Sequence, residues 1–180
     1  MLNLWHDLPC GQNPPEIVTA VVEIPSGSRN KYELDKASGM LKLDRVLFSA
    51  VHYPGDYGFI PRTLHEDHDP LDIIVSINEP TFPGCQIDCR PVGVLKMLDR
   101  GEPDDKIIAV PANDPFYNEY FDIADLSGHY LKEVEHFFHI YKDLEGRRVE
   151  IVGWEKSEVA MQVILDSIER YEEKYLRLGP

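Results

Sequence analysis

Three carboxylates fall within six residues at Asp67-His68-Asp69-Pro70-Leu71-Asp72, and the apolar run Ile73-Ile74-Val75 follows at once. Acidic groups are thereby delivered to the mouth of a buried strand. Carboxylates crowded together repel one another, and a hard oxygen-seeking cation such as Mg²⁺ relieves that repulsion. Asp-x-Asp followed by proline also makes an ordinary turn, so this segment alone leaves both readings open. An EF-hand loop fits badly, because counting from Asp67 places Asp72 where glycine is needed and Asn78 where the closing acid belongs. A second acidic group, Asp99-Arg100-Gly101-Glu102-Pro103-Asp104-Asp105-Lys106, also follows an apolar run, 92–98. Two strand ends feeding one acidic centre favour metal over turn.

Other charges stand in apolar surroundings. Alternate residues of a strand share a face, which puts Leu41, Leu43, Arg45 and Leu47 together and aims Arg45 inward. A guanidinium there needs a carboxylate or a phosphate, whose geometry its fork matches. Glu23 ends a run apolar on both faces, where a lone carboxylate needs a cation nearby. Lys31 and Glu33 share one face of their strand. Tyr53-Pro54-Gly55-Asp56-Tyr57-Gly58-Phe59 mixes aromatics with turn formers, either as loop packing or to bring phenol hydroxyls to a ligand. Tyr141-Lys142 closes a helical pattern, where lysine also simply suits the helix dipole.

The elements that must position these groups are mostly strands, expected at 17–24, 31–35, 40–47, 71–77, 87–98, 106–110 and 149–152, with Gly and Pro between them. Many short strands suggest a closed or partly open barrel of the OB kind. Near the end the period changes. Tyr130, Leu131, Val134, Phe137, Phe138 and Tyr141 fall at helical spacing, with Gly146 as a stop beyond. A second helix is expected over 158–175, capped by Ser157, with Val159, Val163, Ile164, Ile168, Tyr171 and Tyr175 as its apolar stripe. The expected class is α+β, a small barrel flanked by two C-terminal helices. Residues 1–15 read as an arm, with Trp5 and His6 packing on the barrel.

At 180 residues and 43% hydrophobic, the chain suits one domain spanning 1–180. No apolar segment approaches the roughly 20 residues that cross a bilayer, and no apolar leader follows a basic stretch, so no membrane partner is expected and a cytoplasmic location is. Cys10, Cys85 and Cys89 have neither the number nor the spacing of a disulfide framework or zinc ribbon, and read as reduced thiols. A net charge of −14 argues against nucleic acid, which needs a basic footprint. A small anion can still bind where metals and a few placed cations receive it.

Together these segments resemble the soluble family I inorganic pyrophosphatases, whose signature is the acidic loop carried here by Asp67, Asp69 and Asp72. The similarity extends through Val22-Glu23-Ile24-Pro25, Asn30-Lys31-Tyr32-Glu33, Asp44-Arg45, His52-Tyr53-Pro54-Gly55-Asp56-Tyr57-Gly58, Arg90-Pro91-Val92-Gly93, Phe137-Phe138, Tyr141-Lys142-Asp143-Leu144-Glu145 and Gly153-Trp154-Glu155. It covers nearly the whole chain. One departure is His68, at a position that is small or amide-bearing in the family. With His65 nearby, it raises the idea that imidazoles tune metal choice.

The resemblance implies hydrolysis of pyrophosphate to two phosphates by in-line attack of a water or hydroxide bridging two metals. It implies several Mg²⁺ ions, with Mn²⁺ or Zn²⁺ as substitutes. Asp67, Asp72 and Asp104 would be the principal ligands, Asp72 bridging, while Asp99, Glu23 and Glu33 serve further ions. Asp69 would be the general base, and Tyr57 would order the water or support Asp69. Lys31, Arg45, Lys106, Tyr141 and Lys142 would hold phosphoryl oxygens. It also implies a homo-oligomer, commonly a hexamer. Two other readings use the same residues: a metal-dependent hydrolase of polyphosphate or nucleoside triphosphates, for which no P-loop is present, and a non-catalytic metal or phosphate binder, which needs no base at Asp69.

Overall fold

The computed structural model describes residues 2–176, so Met1 of the expected arm lies outside it. Nine strands and two helices follow in order: β1 Val18–Ile24, β2 Asn30–Asp35, β3 Met40–Val46, β4 Asp56–Phe59, β5 Asp72–Val75, β6 Gln86–Asp99, β7 Glu102–Pro103, β8 Lys106–Pro111, α1 Gly128–Ile140, β9 Val149–Lys156 and α2 Ser157–Tyr175. Hydrogen bonding runs β1-β4-β5-β8-β6, and β6 returns to β1, which closes a ring of strands. The long β6 also carries β7 and β9, and β2–β3 form a separate two-stranded hairpin. This is the expected barrel with two helices.

Composition explains the closure. β1, β5 and β8 are rich in Val and Ile, and apart from Asp72 every residue in them is buried. Alternation sends Ile73 and Val75 of β5 to a cluster shared with Ala160 and Ile164 of α2, while Ile74 joins Val134, Phe137 and Phe138 of α1. Each helix thus covers one face of the same strands. Trp5 is buried against Val21, Phe59, Leu64 and Tyr171, its indole N–H donating to the Thr63 carbonyl at 2.8 Å, so the arm packs as expected.

Several expectations need correction. β4 lies inside the segment read as a loop, because Gly58 and Pro54 look like turn formers. Gly58 is instead required by packing, since a Cβ there would lie 1.8 Å from the Val21 carbonyl oxygen of the neighbouring strand. Ser157 is not the cap of α2 but its first residue, and its N–H and hydroxyl both donate to Asp122. Val159 and Tyr175 of the expected stripe are exposed, and Ser157 and Ser167 are buried in their place. In the hairpin the shared inward face fails at Leu43, which is 54% exposed while Leu47 is only 1%; Leu41 and Arg45 stay partly buried. The hairpin lies outside the barrel, and its register slips between Lys31↔Arg45 and Tyr32↔Leu43, leaving Asp44 as an extra bulged residue that breaks the alternation.

Candidate active site

Chain topology brings the dispersed charges to one cavity of about 610 Å³. Glu23 comes from the end of β1, Lys31 and Glu33 from the hairpin, and Tyr57 from β4. Asp67, Asp69 and Asp72 come from the loop into β5, Asp99 from the end of β6, Asp104 and Lys106 from the entry to β8, and Tyr141 and Lys142 from the end of α1. All of them line it. Arg45 does not. The parallel pairing of β5 with β8 sets Asp72 directly beside Lys106, because each is the first residue of its strand.

The pairing of cations with carboxylates follows a pattern. Lys106, 1% exposed, donates to Oδ2 of Asp72 at 2.5 Å and also to Oδ1 of Asp104. The Tyr57 hydroxyl donates to the same Oδ2 of Asp72, at 2.5 Å. Lys142 donates to Oδ2 of Asp99 at 2.7 Å, and Oδ1 of that residue is buried with no partner among the described residues. In each acid one oxygen is held by a lysine, and the other makes no hydrogen bond to the described protein. Lys31 pairs with Glu33, and Lys36 pairs with Asp69.

Electrostatics show how crowded the negative charge is. Burial, then Asp72, pushes the Glu23 carboxyl up to about 8, against a backbone N–H bond from Leu34 at 2.7 Å. Burial, then Asp72 and Asp104, pushes Asp67 up to about 6. Asp104 is also penalised by burial, but the adjoining Lys106 ammonium outweighs that and holds it below the usual carboxylate range. Burial disfavours charge on Lys106, yet Asp72 and Asp104 keep it firmly protonated. Burial first, and nearby acids second, raise Tyr57 and Tyr141 well above the ordinary phenol range, so both remain O–H donors at neutral pH.

A divalent ion fits this donor set. Among the described residues no three acids, histidines or cysteines form a ready-made metal cage. Burial and repulsion between acids, which together lift Glu23 and Asp67, and the unpartnered buried oxygen of Asp99 are nevertheless relieved by hard cations at the open oxygens. The imidazoles are poorly placed to join them. His68 is exposed, with φ of 68°, and His65 is buried, its Nε2 accepting from the Asp105 N–H at 3.4 Å.

Comparison with known proteins decides the family. A family model described as inorganic pyrophosphatase matches residues 20–172. The chain belongs to the inorganic pyrophosphatase family. It is 49% identical over 176 residues to the inorganic pyrophosphatase of Haloferax volcanii, covering 97% of this chain and 99% of that one. With the inorganic pyrophosphatase of Geobacillus stearothermophilus it shares 54% identity over 159 residues, 88% of this chain and 96% of the other. The crystal structure of the inorganic pyrophosphatase from Thermus thermophilus superposes with a TM-score of 0.91 at 44% identity, over 95% of this chain and 99% of that one.

Two of the expected site residues have partners that the sequence did not suggest. Tyr57, expected to order the water or support Asp69, donates to Asp72. Arg45 stands beside the cavity, with its Nε on Glu145 Oε1 at 2.8 Å and Nη1 on Asp44. Burial opposes its charge, but Glu145 and Asp44 raise its pKa above the ordinary value. Lys36 and Glu145 went unassigned in the sequence. Lys36 follows β2 and reads as a turn residue, while Glu145 lies inside the recognised Tyr141–Glu145 motif and carried no sign of its distant partner.

Proposed function

We propose that this chain is a single-domain enzyme that hydrolyses inorganic pyrophosphate to two orthophosphates. The observation that carries the reading is the trio Asp72, Asp99 and Asp104 in one cavity, each tied to a lysine at one oxygen and open at the other. Family membership and the near-complete coverage by named pyrophosphatases support it. Metal dependence is general in that family, usually on Mg²⁺, and Mn²⁺ or Zn²⁺ would serve as substitutes.

Asp67, Asp72 and Asp104 would hold the principal Mg²⁺ ions, and Asp99, Glu23 and Glu33 would hold others directly or through water. Bound Mg²⁺ would supply charge neutralisation for the substrate and a lowered pKa for the attacking water. Asp69, half exposed at the cavity rim, would accept a proton from the attacking water as general base. Tyr57 and Lys106 fix the orientation of Asp72 through one oxygen. Lys31, Lys106, Lys142 and the Tyr141 hydroxyl hold phosphoryl oxygens in line, and Arg45 meets the substrate at the edge of the cavity.

No helix among the described residues is long and apolar enough to cross a membrane. The free thiols Cys10, Cys85 and Cys89 support a reducing, cytoplasmic setting. Exposed apolar Leu43, Val46 and Phe48 on and beside the hairpin support assembly into a homo-oligomer, a hexamer by family resemblance. The test is phosphate release from pyrophosphate with Mg²⁺, with and without chelator, with ATP as competing substrate. Chelator-sensitive release from pyrophosphate supports the reading. Preference for ATP would replace it with a nucleotide hydrolase, and no release with any divalent metal would leave a binding protein.

A further inference from the structure

Arg45 is placed by a residue one hundred positions away. Glu145 accepts its Nε–H at 2.8 Å, and the Glu145 side chain is only 9% exposed. That carboxylate is itself rigidly mounted. It ends the short helical turn Asp143–Glu145, in which the Glu145 N–H donates to the Lys142 carbonyl at 2.9 Å and the Arg147 N–H donates to the same oxygen at 3.2 Å. Gly146 closes the turn at φ of 71°, a conformation that suits glycine. The backbone of Lys142 therefore anchors Glu145, while the Lys142 side chain reaches into the cavity.

Arg45 sits on the hairpin, directly opposite Lys31, and Asp44 bridges the two, touching Arg45 Nη1 and lying 3.8 Å from the Lys31 ammonium. Cations thus approach the site from different elements: Lys31, which lines the cavity, and Arg45 beside it on a hairpin outside the barrel, and Lys142 after α1. The Arg45–Glu145 pair ties one group to the other. A guanidinium gripped at Nε and Nη1 keeps Nη2 free, and its plane is fixed by the two carboxylates.

We propose that Glu145 is a positioning residue for pyrophosphate binding, which sets the Arg45 guanidinium and fixes the spacing between the hairpin cations and Lys142. This rests on the reading of Arg45 as a phosphoryl contact. Glu145 touches no substrate, so its effect passes through Arg45.

The test is a double-mutant cycle in the full chain at saturating Mg²⁺, with KM and kcat for pyrophosphate and calorimetric affinity for the non-hydrolysable methylene bisphosphonate. Arg45→Ala is expected to raise KM about 10-fold or more, Glu145→Ala to reproduce most of that rise, and the double variant to be no worse than Arg45→Ala. Glu145→Gln keeps an acceptor and recovers at least half of the loss in bisphosphonate affinity. Glu145→Asp keeps the charge but falls short of Arg45, raises KM, and replaces Glu145→Ala in the cycle should that variant not fold.

Effects of Glu145 and Arg45 that multiply independently would overturn the proposal while leaving Arg45 as a contact. A lower KM in Glu145→Ala would also overturn it, because Glu145 would then be competing with the substrate for Arg45. An unchanged KM with a lower melting temperature would reduce Glu145 to a structural pair. An Arg45→Ala variant with wild-type constants would remove the reading of Arg45 itself, and the proposal with it.

Discussion

Lys106 Nζ lies 2.5 Å from Asp72 Oδ2, and the two residues are also direct partners in the parallel ladder between β5 and β8. The ammonium is almost fully buried and reaches Asp104 as well, so it stands in for a cation between two acids. Removing one member of a buried ion pair leaves an uncompensated charge, which costs about 3–5 kcal/mol. Lys106→Met is expected to lose about that much stability to urea in metal-free buffer, and distinctly less with saturating Mg²⁺, because the added cation neutralises the same acids. Equal losses in both buffers would show that Asp72 and Asp104 do not share an ion.

Asp69 is the acid at the cavity rim that pairs with an exposed lysine and with no buried one. Asp69→Asn is expected to lower kcat by about 10²-fold or more, within the range of general base catalysis, while calorimetric Mg²⁺ affinity survives. Near-normal turnover would remove the base from Asp69.

Glu23 has a folded-state pKa of about 8 against an ordinary value of 4.5, and Asp67 about 6 against 3.8, in both cases because burial and neighbouring acids disfavour the anion. A carboxyl with a raised folded pKa binds more protons folded than unfolded. Its contribution is therefore most favourable at low pH and declines as pH rises through the window between the two values. The metal-free protein should lose stability between about pH 4.5 and 8 through Glu23, and Glu23→Gln should flatten that slope. At pH 7, Mg²⁺ binding should release protons, detectable as a dependence of calorimetric heat on buffer ionisation enthalpy. A wild-type slope identical to that of Glu23→Gln would count against it.

His68 holds a left-handed backbone, φ 68°, a conformation that glycine or asparagine adopts more readily. His68→Gly is expected to be neutral or stabilising by less than about 1 kcal/mol, since relief of backbone strain offsets the extra entropy of glycine when unfolded. Relative activity with Mg²⁺, Mn²⁺ and Zn²⁺ should not change, because the imidazole faces solvent. A shift in metal preference would restore His68 as a tuning group.

The acids that line the cavity, most of the strands behind them and both helices were legible in the sequence because clustered charge and apolar periodicity are local signals. β4 was hidden because Gly58 serves a close approach to β1 that only the fold reveals. The face of Leu43 was misjudged because the bulge at Asp44 breaks a strict two-residue period. Buried Ser167 and exposed Val159 invert the expectation for α2, where proximity to the sheet outweighs hydropathy. The Tyr57 to Asp72 bond and the Arg45–Glu145 pair could not be read at all, since partners fifteen and one hundred residues apart leave no pattern along the chain.

The parallel pairing of β5 with β8 also bears on how the enzyme comes into being. Parallel neighbours cannot be joined by a tight turn, and here the intervening chain must lay down β6 and β7 before β8 can dock. Contacts so distant along the chain are slow to form, because the loop entropy is lost before the pairing energy arrives. Asp72 and Lys106 meet only when that docking is complete. In refolding from urea, recovery of pyrophosphate hydrolysis should trail the return of helical ellipticity, making activity a late reporter of chain closure.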